Sequence, residues 1–323
     1  MAGEYTWTLD ASSGVFKNHD LSSDVLYAAL AKAKFQTFVK PVPGYGKGKG
    51  DTVTWPRIKN LTEPTAATFN ERDRVPVDTF AMSTGSVTVT YYGRAVEFTD
   101  MSQLLSAFDL KDAIQKKLRG QMTLALDTAA AAAFKTAQIS FAPTSLANGT
   151  FDTDGTPSTT ATQNLTVAHL QVIRDYMMDT IHVPGWQGGD EYYCLTATKA
   201  CRGIRRDPDF IEAHKYSSAD YLETGGTAPN GEIGKVENIH LIEVNHTNAL
   251  SGTKGTGNVL GEAVIFGDDA VVMAVASDPE LRVAIPGEYG TQHGIAWIGL
   301  LAYGIEWNTA TDGEARIIYV TSA

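Results

Sequence analysis

The clearest hydrophobic pattern in the chain runs from Leu110 to Ala137. Ile114, Leu118, Met122, Ala125 or Leu126, Ala129 and Ala133 recur at helical spacing, which predicts one continuous helix of about 42 Å at ~1.5 Å per residue. Gly120 interrupts the stripe, and the alanines from Ala129 to Ala133 let another backbone approach closely. Asp109 is placed to cap this helix, with Asp112 at its third position, and Asp100 to cap a short one over Met101–Ala107. A period of two appears instead at Ser86–Tyr92, where Val87, Val89 and Tyr91 share one face and Thr88, Thr90 and Tyr92 the other. Thr52–Ile58 reads as a second strand. The two are joined by roughly thirty polar residues, too many for a tight hairpin. Loops of that length are functional or are ordered by something outside the subunit.

Elsewhere the pattern is shorter-ranged. Residues 1–20 read as an extended polar arm, and Asp24–Lys40 as a helix that Ser22 or Ser23 caps and Pro41 and Pro43 end. Residues 138–164, rich in Thr, Ser, Gly and Asn, read as a surface loop. Thr166 caps a predicted helix through Thr180. A strand at Tyr192–Leu195 and a helix around Thr198–Arg206 follow. Short strands are predicted at Gly231–Val244, Leu260–Phe266, Val271–Ala276 and Leu281–Ile285, and a strand pair at Ile295–Trp307 and Glu314–Thr321. No repeat of about 20–50 residues is present. The fold class is α+β, with a second mixed domain inserted before the last strands.

Composition narrows the function classes. Of the 323 residues, 43% are hydrophobic and 20% charged, which excludes wholesale disorder and a coiled-coil rod. The net charge of −11 argues against a protein that grips nucleic-acid phosphates through a basic surplus. The charge is also uneven: residues 1–120 carry 15 basic and 13 acidic side chains, and residues 121–323 carry 11 and 24. Cys194 and Cys201 have no CxxC partner and read as reduced thiols. The N-terminal sequence has no signal-peptide pattern, and the most apolar run, Ile295–Ile305, is far short of the ~20 residues that span a bilayer. A soluble intracellular product without a membrane partner is expected.

No catalytic constellation is legible. Gly44–Asp51 invites a phosphate-loop reading, but Pro41 and Pro43 stand where the first glycine of GxxxxGK[ST] belongs, and Gly48 and Gly50 replace its Ser or Thr. His240, Glu243 and His246 have metal-ligand chemistry, but neither a strand nor a helix aligns all three, so they read as exposed polar side chains. Asp152-x-Asp154-Gly155 lacks the rest of a calcium loop and reads as a turn. Arg202, Arg205 and Arg206 beside Asp207 and Asp209 read as an ion-paired helix end. No catalytic residue, cofactor or metal ligand is assigned.

Several segments, in order, resemble those of the Hong Kong 97-type major capsid proteins of tailed bacteriophages. GKGKGDTVTWPRI through VTVTYYGRAVEFTD is similar to that family's extended loop, and LKDAIQKKLRGQMTLALDTA, with its Leu126-Asp127, to its spine helix. NGEIGKVENIHLIEVNH is similar to the turn-and-strand segment of the axial domain. FGDDAVVMA and GIAWIGLLAYGIEWNTATDGEARII are similar to the return into the peripheral domain.

The resemblance implies an N-terminal arm and helix over 1–40 and an extended two-stranded loop over 41–98. It also implies a peripheral domain over 99–180 with its spine helix at 110–137, an axial domain over 181–276, and return strands over 277–323. The implied function is an icosahedral shell subunit that encloses a double-stranded DNA genome without sequence-specific binding. It assembles with itself into pentamers and hexamers in the bacterial cytoplasm and is carried in the virion. Expected inter-subunit loop contacts are Lys47, Lys49, Trp55, Arg57, Glu63, Glu71, Arg72, Asp73 and Arg74. A separate scaffolding protein, a portal and a decoration protein are the further partners implied. An encapsulin-type shell around protein cargo and an enzyme with an unrecognised site are the alternatives.

Overall fold

The computed structural model describes residues 29–42, 45, 48–61, 63–64, 68–69, 71–72, 74–106, 109–155, 159–216, 232–250, 261–311 and 313–322. These fall into two compact units. The smaller comprises residues 29–30, Arg94–Gly120 and Leu281–Trp297; the larger takes in the described parts of Ala31–Gly93, Gln121–Glu280 and residues 298–322.

In chain order the strands are β1 (Val39–Pro41), β2 (Thr52–Ile58), β3 (Met82–Thr88), β4 (Thr90–Thr99), β5 (Ile139–Pro143), β6 (Gly149–Asp152), β7 (Tyr192–Ala197), β8 (Glu232–Val236), β9 (Ile239–Val244), β10 (Gly261–Phe266), β11 (Val271–Val283), β12 (Gln292–Ile305) and β13 (Ile317–Ser322). The helices are α1 (Asp100–Leu105), α2 (Leu110–Lys135), α3 (Val167–Asp175), α4 (Cys201–Arg206) and α5 (Pro208–Tyr216).

The larger unit is built on a seven-stranded sheet of order β6-β5-β13-β10-β7-β9-β8. Its central strands are near-continuous apolar runs because both faces are covered. Ala263 and Ile265 of β10, with Ile318 and Val320 of β13, enter a core with Leu170 and Ile173 of α3 and Ile204 of α4. Their neighbours Val264, Phe266, Ile317 and Tyr319 enter a second core with Phe35, Phe38 and the α2 residues Ala130, Ala131 and Phe134. The period of two is thus present, but each position is apolar because each face has its own helix layer.

Helix α2 forms as the pattern predicts. Asp109 Oδ1 accepts from the Lys111 and Asp112 amides at 3.0 and 3.2 Å. The buried face carries Leu118, Leu126, Ala130, Ala131 and Phe134, turned slightly from the predicted stripe. Thr166 heads α3 in a capping box, its amide donating to His169 Nδ1 at 3.1 Å, and Tyr176–Thr180 adds one wide turn.

Five expectations are corrected. The helix predicted over Asp24–Lys40 is not formed in its described part: Phe35–Phe38 make one tight 3₁₀ turn, and β1 pairs in parallel with β11, Val39 opposite Val271. Phe35 and Phe38 are drawn into the second core, and this tertiary burial overrides the local helical spacing. Residues 138–164 are not a surface loop. Within them β5 is buried along its whole length between β13 and β6, and only the polar flanks matched the loop composition. Strands β12 and β13 do not pair: β12 belongs to a four-stranded sheet of order β1-β11-β12-β4, while β13 lies in the larger sheet between β5 and β10. The two strands predicted at Val271–Ala276 and Leu281–Ile285 are one, β11. Thr99 rather than Asp100 caps α1, its Oγ1 accepting from the Ser102 amide.

Candidate assembly surface

Strand β2 pairs antiparallel with β3 from Thr52 opposite Thr88 to Ile58 opposite Met82, forming a separate two-stranded sheet. The two faces of this ribbon differ. On one, Val53, Trp55 and Arg57 alternate inward with Gly85 and Val87. The other face presents Thr52, Thr54, Ile58, Met82, Thr84, Ser86 and Thr88 to solvent. The Arg57 guanidinium lies 5.8 Å from the Trp55 ring and 5.5 Å from the Trp307 ring, and its Nη2 donates to the Ile305 carbonyl at 3.1 Å. Burial lowers the Arg57 pKa, opposed by the nearby charges of Glu306 and Glu314. Lys59 Nζ pairs with Glu314 Oε2 at 3.1 Å.

Beyond Ile58 the ribbon has no such cover. Leu61, Phe69, Val75, Val77 and Phe80 are all exposed, Val77 to 77%. The connection between the strands therefore carries an apolar series that a reading of it as a polar loop missed. Of the expected contact residues, Lys49, Glu63, Glu71, Arg72 and Arg74 are exposed along this segment. Lys47 and Asp73 lie outside the described residues. Trp55 and Arg57 are half-buried against their own chain. The available signal was the recurrence of large apolar residues inside a segment with no period of two or 3.6 to bury them.

The smaller unit shows the same deficit. None of the residues of α1 is buried, and Met101, Leu104 and Leu105 are each about 70% exposed or more. Val283 and Ile285 are exposed too, Ile285 to 93%. A six-residue helix with bare leucines has no stability of its own in water. Exposed apolar surface on this scale marks a protein–protein contact.

The titratable residues singled out from sequence are instead spent on internal pairing. His240 and His246 are buried, correcting the expectation that they are exposed. They sit in different places: His246 Nδ1 meets Asp127 Oδ2 at 3.0 Å, while His240 lies between Glu232 and Glu191 at 2.6 and 3.1 Å. Glu243 pairs with Arg205, so that arginine is not part of a cluster closed on Asp207. Asp207 accepts from the Val167 amide at 2.9 Å and the Asp209 amide at 3.2 Å. Among the described residues no group of three His, Cys, Asp or Glu side chains converges as metal ligands. The thiols of Cys194 and Cys201 are free and buried; burial pushes both up, Cys201 to about 11, which keeps it protonated at neutral pH.

Asp127 was legible only as part of the spine segment, and its role comes from the structure. It is fully buried on the inner face of α2, where its Oδ1 accepts from the Lys34 and Phe35 amides at 2.9 and 2.8 Å. One carboxylate thereby fastens residues 34–35 to the helix and satisfies two backbone donors that a non-helical turn leaves over. Among the described residues no helix is long and apolar enough to cross a membrane.

A sheet core buried within its own unit, a separate two-stranded sheet and bare apolar surface are together the pattern of a subunit that assembles with others. The family model for phage capsid proteins matches residues 82–317, and the chain belongs to that family. No curated protein sequence matches it. Among solved structures, the capsid of Ralstonia phage GP4 is similar with a TM-score of 0.67 and 16% identity over 95% of each chain. The head of Helicobacter pylori bacteriophage KHP40 gives 0.70 and 11%, over 100% of this chain and 99% of that one. The capsid of cyanophage Pam1 gives 0.68 and 13% over the whole of both. At these identities the likeness shows the fold, the α+β Hong Kong 97-type capsid fold. The protein is a structural subunit of a phage head shell and resides in the virion capsid.

Proposed function

We propose that the ribbon of β2 and β3 is an arm that lies over a neighbouring subunit and holds the shell together. The observation that carries this reading is the exposed series Ile58, Leu61, Phe69, Val75, Val77, Phe80 and Met82. Left in water, such a series makes an isolated subunit prone to association, and a neighbour's surface removes it from solvent. Lys47, Lys49, Glu63, Glu71, Arg72, Asp73 and Arg74 then rim the contact with ion pairs worth under ~1 kcal/mol each, which fix register more than affinity. Trp55 and Arg57 stand at the root of the arm.

In this reading the arm occupies 41–98, a peripheral domain 99–180 and 277–323, and an axial domain 181–276, with residues 1–40 as the N-terminal arm. The subunits form pentamers and hexamers around double-stranded DNA, and assembly takes place in the bacterial cytoplasm with a separate scaffolding protein and a portal. A decoration protein is a further partner. The net charge of −11 suits a wall that encloses DNA without adhering to it. The role is structural, without catalysis. The test is deletion of residues 62–74 in the full chain, followed by electron microscopy. Loss of closed shells with a folded subunit is expected, and normal particles overturn the reading.

A further inference from the structure

We propose that Arg57 is a positioning residue that sets the direction in which the arm leaves its own subunit, using a seat formed by residues 304–307 and Glu314. The proposal rests on the reading of β2 and β3 as an arm.

Four contacts converge on the root of the ribbon. Arg57 lies over the Trp55 and Trp307 rings, at 5.8 and 5.5 Å from their centroids, and donates to the Ile305 carbonyl. A guanidinium does this well, since its delocalised charge is attracted to both rings while its N–H groups remain free to donate. Glu306 and Glu314 bring negative charge towards it, and Lys40, Asp268, Asp269 and Arg316 are the further charged groups acting on Glu306 or Arg316. Lys59, two residues beyond Arg57, makes a second tether to Glu314.

The strand opposite has been cleared for this arrangement. Gly85 pairs with Trp55, and a Cβ there would sit 2.5 Å from Trp55 Nε1 and 2.6 Å from Arg57 Nη2. Only a glycine lets both side chains lie across β3 at this point. Below them Gly304 receives Val87, with a Cβ at 304 only 3.2 Å from the Val87 side chain. The seat therefore grips one face of the ribbon from Val87 to Lys59, while the other face and the described residues of the connection beyond remain uncovered. Arg57 and Lys59 flank Ile58, the last residue of β2, so the seat sets the direction in which the exposed connection leaves the strand.

The experiment compares full-length wild type with Arg57→Ala, Arg57→Lys and Gly85→Ala under conditions where wild type closes shells. Closed particles are counted by electron microscopy, and the unassembled subunits are followed by tryptophan fluorescence and by their unfolding midpoints. Expected for Arg57→Ala is a near-wild-type midpoint, a changed tryptophan spectrum and at least a tenfold loss of closed shells in favour of open or irregular ones. Arg57→Lys keeps the charge without the flat edge and restores only part of the yield. Gly85→Ala reproduces the defect with Arg57 intact, by displacing both side chains. Wild-type shell yield from either Arg57→Ala or Gly85→Ala overturns the proposal. If Arg57→Ala does not fold, Arg57→Lys decides: full shell yield overturns the proposal, and folded subunits that misassemble support it. Closed shells from the 62–74 deletion would instead overturn the arm reading, a result separable from normal shells in the Arg57 and Gly85 variants alone.

Discussion

Strand β10 and strand β4 show two ways of being a strand in one chain. Every residue of β10 is buried, paired on both sides by β13 and β7 and covered on both faces. Strand β4, four residues longer, has eight exposed positions and no buried one. The difference is one of where partners come from. The seven-stranded sheet finds its cover within the subunit, so its interior is fully consistent with a chain that folds alone. The ribbon and α1 place apolar groups where the described residues offer no cover, and this surplus is what the proposed arm would bury on a neighbour.

If that contrast is right, the largest separation comes from truncating one aromatic in each region. Phe134, fully buried against Phe35 and Phe266, should cost about 4 kcal/mol of subunit stability when changed to Ala. Phe80→Ala, at an exposed position, should stay within about 0.5 kcal/mol in the same denaturant titration while lowering shell yield. A stability loss at Phe80 as large as that at Phe134 would erase the distinction. A smaller effect is expected where the N-terminal segment is fastened: Asp127→Asn weakens two charge-assisted bonds to Lys34 and Phe35, costing about 2 kcal/mol. Protease cleavage between residues 29 and 41 should accelerate, and unchanged protection would deny Asp127 that role.

The smallest effects are in pH. Lys235 and His240 hold the partly exposed Glu191 carboxyl below its ordinary range, the Lys235 hydrogen bond first. Its stabilising contribution is present above the unfolded carboxylate pKa and is lost as pH falls through the lower folded value. Glu306 has the opposite sign. Burial raises its pKa, so stability is gained as pH falls through the folded value towards the unfolded one. Unfolding midpoints between about pH 3 and 7 for Glu191→Gln and Glu306→Gln should therefore flatten opposite slopes; matching slopes would contradict the assignment.

Much of the fold was legible because local rules and tertiary needs coincide in it. The Asp109 cap, the Thr166 cap, the α2 stripe and the strands β7, β9 and β10 all require only neighbours in sequence to be recognised. The misreadings fall where a distant partner decides. Asp24–Lys40 spells a helical spacing, yet Asp127, over ninety residues from Lys34 and Phe35, takes two amides that a helix would have used internally. Ile139–Pro143 is short and flanked by loop residues, and becomes a strand because β13 lies ready to pair with it. His240 and His246 have polar identities that suggest solvent, and only the fold supplies their carboxylate partners.

By itself, then, the sequence determined α2 and α3 with their caps, most of the strand runs, the acidic balance and the presence of a ribbon too long for its own subunit. The tertiary structure decided which strands share a sheet, which carboxylates are buried, and that one face of the ribbon's root is gripped while the rest is bare. The physical reason is that period and capping act within a few residues, whereas pairing and burial depend on which remote segment arrives to exclude water.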